Sequence, residues 1–534
     1  MKILMSLSVV LLLAATGMSA TIYVPDDYLT IQGAINASAN GDTVLVSPGT
    51  YVENIDFLGK AITLKSDKGP FVTIIDGNRT GTTVVFQNYE GSDSVIDGFT
   101  ITNGYMVFNH PGGGIRCRWA APTITHNRIV SNEAGHGGGI ACWDASPVIC
   151  HNTIADNLAY GQQYSSGGGI ELNFFANPTI TENVIEGNKA PFGGGIYCGP
   201  YSRPTIAHNR INGNYAGREG GGLKINDSDP EITSNELIGN IGLNLGGGIC
   251  CIDGDPIISN NIVGANLSPR GGGLYCKDSV PYLIHNTIAE NESSDGAGGL
   301  ELVGCYQILG RNTILSSNTG LQGPEIYLYG SAANNSFIYL DSVIVEGGWD
   351  EIEVEAGSHC FLQGNGITNA DPLLADPANG DFHLTADSPA RESGQLFANG
   401  IPWKDFEGDP RVPASTVDIG ADEYYTHLYA LGDVIPRNAI DVKLVGTPGL
   451  GGVRIITGAG VRQQPLPTIH GDFHLEGPIR IFTFGPIPQN GIFSYTLTVP
   501  VSWNPGDHPP FQALVGEWGN PDTTLSNLMV MFVE

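Results

Sequence analysis

The sequence predicts an all-β protein: a right-handed parallel β-helix with an N-terminal helical cap, followed by a small C-terminal β-sandwich. Three observations carry that prediction. Eight segments begin with Gly-Gly-Gly-Ile or a close variant, at Gly112, Gly137, Gly167, Gly193, Gly220, Gly246, Gly271 and, degenerately, Ala297. Their spacings of 25, 30, 26, 27, 26, 25 and 26 residues leave room for short strands and turns but not for helices. Glycine, at 74 of 534 residues, stands at about twice its usual share. A unit this small cannot bury its own apolar face, so units must stack, each forming one coil.

The elements follow in chain order. Lys2, the apolar run Ile3 to Ala15 and the small residues ending at Ala20 have the form of an export signal, giving 1–20 as a signal peptide cleaved near Ala20. The run is shorter than the about 20 apolar residues that span a bilayer, and no comparable run follows, so the mature chain is expected outside the cell or at its surface with no transmembrane segment. TIQGAINAS, from Thr30 to Ser38, reads as a short helix with Thr30 as cap and Ile31, Ala34 and Ile35 apolar. Such a helix can plug the open end of a solenoid, whose first coil otherwise exposes a sheet edge.

Residues 21–425 are assigned to the β-helix, with the glycine repeats at about 112–318 and a closing segment at about 366–425. Within each repeat the isoleucine after the glycines and the residue two further on should point inward, by strand alternation. The second of these is Cys117, Cys142, Leu172, Cys198, Ile225, Cys251, Cys276 or Leu302. Cysteines sharing a place with Leu and Ile read as small core residues; the alternative is a disulfide framework, which export permits. Most repeats then continue P-x-I-x-x-N-x-I-x-x-N, as in PTITHNRIVSN from Pro122 to Asn132. Asn127, Asn152, Asn183, Asn209, Asn235, Asn261, Asn286 and Asn312 recur at one corner, where stacked amides can bond to one another in a structural ladder. Residues 426–534 lose the glycine triplets and alternate apolar and polar residues between Pro and Gly turns, which suggests the β-sandwich.

Several stretches carry a resemblance. IQGAI, GDTVLVSPGTYVENI, GKAITLKS, TIIDG and VIDGFTITNG are similar to the start of many pectin-lyase-like β-helix proteins. The GGGI repeats with P-x-I-x-x-N resemble the right-handed β-helix repeats of secreted bacterial proteins and polymorphic outer-membrane proteins. DFHLTADSPARESG and VDIGADEY resemble a segment that often closes such bacterial β-helices, although Ala390 to Gly394 reads ARESG where that segment has A-I-D-x-G. The resemblance spans residues 22–424 and implies a fold; it also implies that any catalysis takes place in a groove on the outside of the helix.

Along the outward position between isoleucine and cysteine, Glu171, Tyr197 and Lys224 fall consecutively, with Arg218 nearby. Elimination on a uronide needs a base at C5 and a cation for the carboxylate. Lys224 as base, Tyr197 as proton donor and Arg218 or calcium as neutraliser, beside Glu171, form the catalytic candidate. Ordinary Glu–Lys pairing on a solvated strand face is the plainer reading. Trp119, Trp143, Phe174, Phe175 and Tyr201 fall just after the same strand and form a candidate carbohydrate-binding strip, against packing in loops. Asp227, Asp229, Asp253 and Asp255 sit at equivalent turns of adjacent coils and are candidate calcium ligands, although tight turns select Asp as well.

The formal charge of −30 argues against nucleic acid as partner, since phosphates need clustered Lys and Arg. GTYVE, Gly49 to Glu53, resembles pectin methylesterases, but the later motifs of that family are missing; of the motifs that accompany Gly-His-Gly in polygalacturonases, the only adjacent aspartates, Asp26 and Asp27, belong to the N-terminal cap region, and Arg-Ile-Lys is missing. His136, in Gly-His-Gly, therefore reads as a position that the repeat leaves free. The expected function is a secreted or surface-associated, non-catalytic β-helix presenting a rigid outer face for glycan binding or adhesion, with a polysaccharide or cell-surface glycan as partner. It requires no cofactor, with calcium as an optional ligand. The alternative is a polysaccharide lyase or glycoside hydrolase working around Glu171 to Asn226.

Overall fold

A computed structural model describes residues 19–424 apart from 108–109, 162, 307, 331–335, 396–403, 408–410 and 412–416; beyond 424 it describes strands only. All but the last two residues of the expected signal peptide therefore lie outside the described residues.

A typical coil has four short strands, such as Ile115–Arg118, Thr123–Thr125, Arg128–Val130 and Glu133–Ala134. Every one pairs in parallel with its counterpart one coil on. Ile115 stacks on Ile140 and Cys117 on Cys142; Ile124 stacks on Ile149 and Ile129 on Ile154. The first of these strand ladders holds twelve strands among the described residues. All the inward Ile, Leu, Val and Cys positions merge in one buried column. Removing each Ile or Leu from water stabilises that column by about 1.5–3 kcal/mol, so the isoleucine period is the main sequence signal for the fold. Cys117, Cys142, Cys198, Cys251 and Cys276 lie within the column as free thiols, as small core residues would.

The three glycines of a repeat do different jobs. The first takes a positive φ, +59° at Gly137 and +64° at Gly167, which an L side chain resists. The second and third lie against the next coil: a β-carbon on Gly139 would come 2.6 Å from the Gly169 carbonyl oxygen.

Asn127 shows how a corner is held. Its backbone N–H and Nδ2 donate to Asn152 Oδ1 at 2.9 and 3.2 Å, and Nδ2 also donates to the Ile96 and Thr125 carbonyls. The pattern repeats through Asn152, Asn183, Asn209, Asn235 and Asn261, then changes at Asn286, whose N–H donates to Thr313 Oγ1. Asn312 lies one place early and instead holds Gln395 through both backbone groups. The expected eighth rung is thus a threonine. A second ladder, through Asn132, Asn157, Asn188, Asn214, Asn240, Asn266, Asn291 and Asn318, uses the last asparagine of the same motif. It ends on Glu325, whose carboxylate accepts from the Asn318 N–H and Nδ2.

Helix Ile31–Ala37 forms as expected: Thr30 Oγ1 accepts from the Gly33 N–H, and Ile31, Ala34 and Ile35 are buried in the column's first layer. Glu53 accepts the Ile31 and Gln32 N–H groups, and Lys60 Nζ donates to the Ile35, Asn36 and Ser38 carbonyls at the other end.

The closing segment runs along the flank of the solenoid. Phe382 and Ala421 pack on Ile262 and Ala289, while Leu384, Ala390 and Ile419 pack on Ile314 and Ile344. Gly264 makes room for Phe382: a β-carbon there would lie 2.3 Å from the ring. Buried Arg411 ties the segment together, bonding Glu423, Asn260 and the Gly420 and Ala421 carbonyls. After residue 426 the strands are antiparallel. His427–Leu431, Ala439–Val445 and Ile492–Thr498 form one sheet; Arg480–Thr483, Val453–Thr457, Pro510–Val515 and Thr524–Val530 form another.

Candidate functional site

The outward position that carries Glu171, Tyr197 and Lys224 is not the solvated face the sequence suggests. Glu171 is 0% exposed and Lys224 2%; Ala141, Cys250, Tyr275 and Glu301 in the same ladder are also buried, and Tyr197 is half-buried. The residues just before each glycine triplet form their own parallel stack, with His136 bridged to Ser166, Ser166 to Phe192 and Glu219 to Leu245. That stack lies beside the outward ladder and supplies its partners. Lys224 Nζ meets Glu219 at 2.9 Å and donates to Cys250 Sγ at 3.4 Å. Arg270 meets Glu301. His136 Nδ1 lies 3.2 Å from Glu171 Oε1.

His136 is therefore not in an idle position. Glu171 also accepts from Trp143 Nε1 at 2.8 Å and from Ser166 Oγ at 3.1 Å. Burial works against the charged His136 ring, but Glu171 outweighs it and raises the pKa. Burial likewise opposes the Lys224 ammonium, and Cys250 and Glu219 together outweigh it, so its pKa is raised. Burial pushes the Tyr197 hydroxyl well above its usual range. Arg218 stands exposed, its guanidinium 5.6 Å from the Phe192 ring. The four catalytic candidates are thus neighbours in the fold, but the Lys224 amine and the Glu171 carboxylate are engaged by buried or half-buried partners.

The aromatic candidates lie one turn further along. Trp119, Phe174, Phe175 and Tyr201 are 43%, 45%, 61% and 60% exposed. Tyr89, not singled out in the sequence, extends the strip by one coil: it is exposed and stacks on Trp119 with centroids 6.4 Å apart. Its signal was available, since Tyr89 follows inward Phe86 by three residues, as Tyr201 follows Cys198. Phe175 stacks on Tyr201 at 5.3 Å, and Trp143, half-buried, meets Phe174 edge-on at 5.6 Å. Tyr89, Trp119, Phe174, Phe175 and Tyr201 all adopt positive φ, between 53° and 63°. Bulky side chains resist that conformation by roughly 1–2 kcal/mol each. Other coils place Asp144, Asp227, Asp253 or Asp278 at this corner, residues that adopt it more readily.

The aspartates continue the same corner. Asp229 pairs with Arg203 at 3.0 Å and accepts from the Asp255 N–H, while Asp255 accepts from the Val280 N–H. Asp227 and Asp253 are exposed at the left-handed positions. Among the described residues, three His, Cys, Asp or Glu ligand groups converge at one place, and it is elsewhere: His383, Glu407 and Asp422. Hydrogen bonding to Glu407 and then Asp381 raises the His383 pKa to about 10 against the cost of burial. Glu407 also lines a cleft of about 480 Å³ between the flank and the closing segment, with His208, Arg210, Glu236, Lys404 and Phe406.

Residues 54–236 and 149–276 match the family model described as a right handed beta helix region. The solenoid is a right-handed parallel β-helix. Two solved structures of a PL6 family alginate lyase, AlyGC, one of them a point mutant, share 14% identity with the chain at TM-scores of 0.42 and 0.35. The alignments cover 78% and 66% of this chain, and 60% and 54% of the lyase. The chain thus spans less than two thirds of that enzyme's length. No curated protein matches the β-helix chain in sequence. No helix among the described residues is long and apolar enough to cross a membrane.

Proposed function

We propose that this β-helix is an exported, non-catalytic glycan-binding protein, with Tyr89, Trp119, Phe174, Phe175 and Tyr201 as the surface on which sugar rings stack. One observation carries the reading: aromatic side chains occupy a left-handed corner that disfavours them, on four coils, and remain exposed. Conformational strain retained at one kind of position points to function. Trp143 supports the strip from behind through its bond to Glu171. Asp227 and Asp253 extend the corner into acidic turns, where calcium would bridge to an anionic polysaccharide. Pairing of Lys224 with Glu219 favours binding over elimination chemistry, because a general base must reach the proton it removes.

The test is affinity electrophoresis and calorimetry of the full chain against uronic-acid and neutral polysaccharides, with and without calcium. The binding reading expects saturable retention without turnover, weakened about tenfold by Tyr201→Ala or Trp119→Ala. Release of unsaturated product absorbing in the ultraviolet would overturn it in favour of a polysaccharide lyase.

A further inference from the structure

We propose that His383, Glu407 and Asp422 form a binding site for a divalent transition-metal ion of the zinc class, joining three parts of the closing segment. His383 belongs to the strand Asp381–Leu384, Glu407 to the stretch facing the cleft and Asp422 to the turn that follows Gly420. One ligand atom from each lies within 4.8 Å of the other two.

The geometry of His383 points to an ion rather than to a simple cluster of acids. Its Nδ1 is held by the Asp381 carboxylate, while Nε2 faces Glu407 Oε1 at 3.2 Å. A carboxylate on the far nitrogen fixes the tautomer and turns the other nitrogen toward a metal, the usual setting of a ligating histidine. Asp422 is similarly prepared: it is 4% exposed, and the Leu384 N–H bonds one of its oxygens at 2.7 Å. Ligands about 2.0–2.2 Å from a tetrahedral ion lie roughly 3.4 Å from one another. The His383–Glu407 separation meets that already, and all three ligand atoms lie within 4.8 Å of one another.

One imidazole with two carboxylates suits zinc-class ions better than calcium, which takes six to eight oxygens. Three protein ligands leave a coordination position for water or a ligand oxygen. This site is distinct from the aspartate corner, and its test does not depend on glycan binding.

The full chain, stripped with a chelator, is titrated with Zn²⁺ by calorimetry and followed by thermal melting. The expected result is one tight Zn²⁺ ion per chain with a raised Tm, and excess Ca²⁺ does not displace it. Glu407→Gln, a change of the same size at an exposed position, should weaken binding at least tenfold, and His383→Gln at least a hundredfold. Unchanged Zn²⁺ affinity in both variants, or no stoichiometric binding by the parent, would overturn the proposal.

Discussion

Lys224 and Glu219 form an ion pair at 2.9 Å in which the lysine is 2% exposed and the glutamate 18%. The two residues are five apart in sequence and on opposite sides of a glycine triplet. The turn made by Gly220 folds Glu219 back over the strand that carries Lys224. Removing one partner leaves the other buried and uncompensated, which costs about 3–5 kcal/mol for pairs of this kind. Lys224→Met should therefore lower stability strongly in urea melts. The double variant Lys224→Met with Glu219→Gln should recover much of the loss. Equal losses in the single and double variants would show that the pair is not coupled.

The asparagine ladder makes a contrast between two residues of one type. Asn209 Oδ1 accepts from both groups of Asn183, and its Nδ2 donates to the Ile180 and Ala207 carbonyls and to Asn235. Asn209→Ala strands several buried groups at about 1–3 kcal/mol each. Asn312→Ala, outside the ladder, should instead loosen the closing segment at Gln395. Hydrogen exchange distinguishes them: protection is lost around residues 180–240 in the first and around 390–424 in the second.

Glu325 ends the second ladder, and its pKa is raised to about 8, chiefly by burial, against the Asn318 hydrogen bonds. The folded state thus holds this proton at pH values where the unfolded chain has released it. Its contribution to stability is present below about pH 4.5 and is lost as pH rises toward 8, by at most ~1.4 kcal/mol per pH unit. Glu325→Gln keeps an acceptor for Asn318 and removes the titration. Thermal melts across pH 5 to 9 should fall more steeply for the parent than for this variant.

His285 gives the opposite slope. It is fully buried, and burial together with Arg411 depresses its pKa well below the usual value. The unfolded chain takes up this proton below about pH 6.5, so the folded state loses stability as pH falls from there. His285→Gln should flatten the acid limb of the stability profile, whereas an unchanged limb would assign acid sensitivity to other groups.

The cysteines provide a simple check on packing. Cys150 and Cys360 are partly exposed, and the other seven are buried free thiols. Burial also raises the pKa, to about 11 at Cys250 and about 12 at Cys251 and Cys305, and the thiolate is the reactive form. A maleimide reagent should label two sites in the native protein and nine after denaturation. Fewer than nine labelled sites after denaturation without reductant, or a mass deficit of two hydrogens per pair, would indicate disulfides.

Much of the architecture was legible because a solenoid repeats one local solution. The period of Ile115, Ile140 and Ile170, the glycines that turn the chain and the first asparagine ladder all follow from spacing, since each coil meets only its neighbours. The exposed corner that carries Trp119 and Tyr201 was legible for the same reason. The second ladder is encoded in the same motif, by its last asparagine, at the same spacing.

What tertiary structure alone decided lies where the chain folds over itself. Residues before the glycines vary as His136, Ser166, Phe192, Glu219 and Arg270, and along the sequence they look free. In space His136, Glu219 and Arg270 each answer a charge on the outward ladder, namely Glu171, Lys224 and Glu301. Variation in one ladder is matched by variation in the other, so neither shows a pattern alone. The union of His383, Glu407 and Asp422 is likewise invisible in sequence, because gaps of 24 and 15 residues carry no period. Periodic stacking is a local property, encoded within each repeat. Charge pairing and ligand convergence depend on where distant backbone segments come to rest, and only the folded chain sets that.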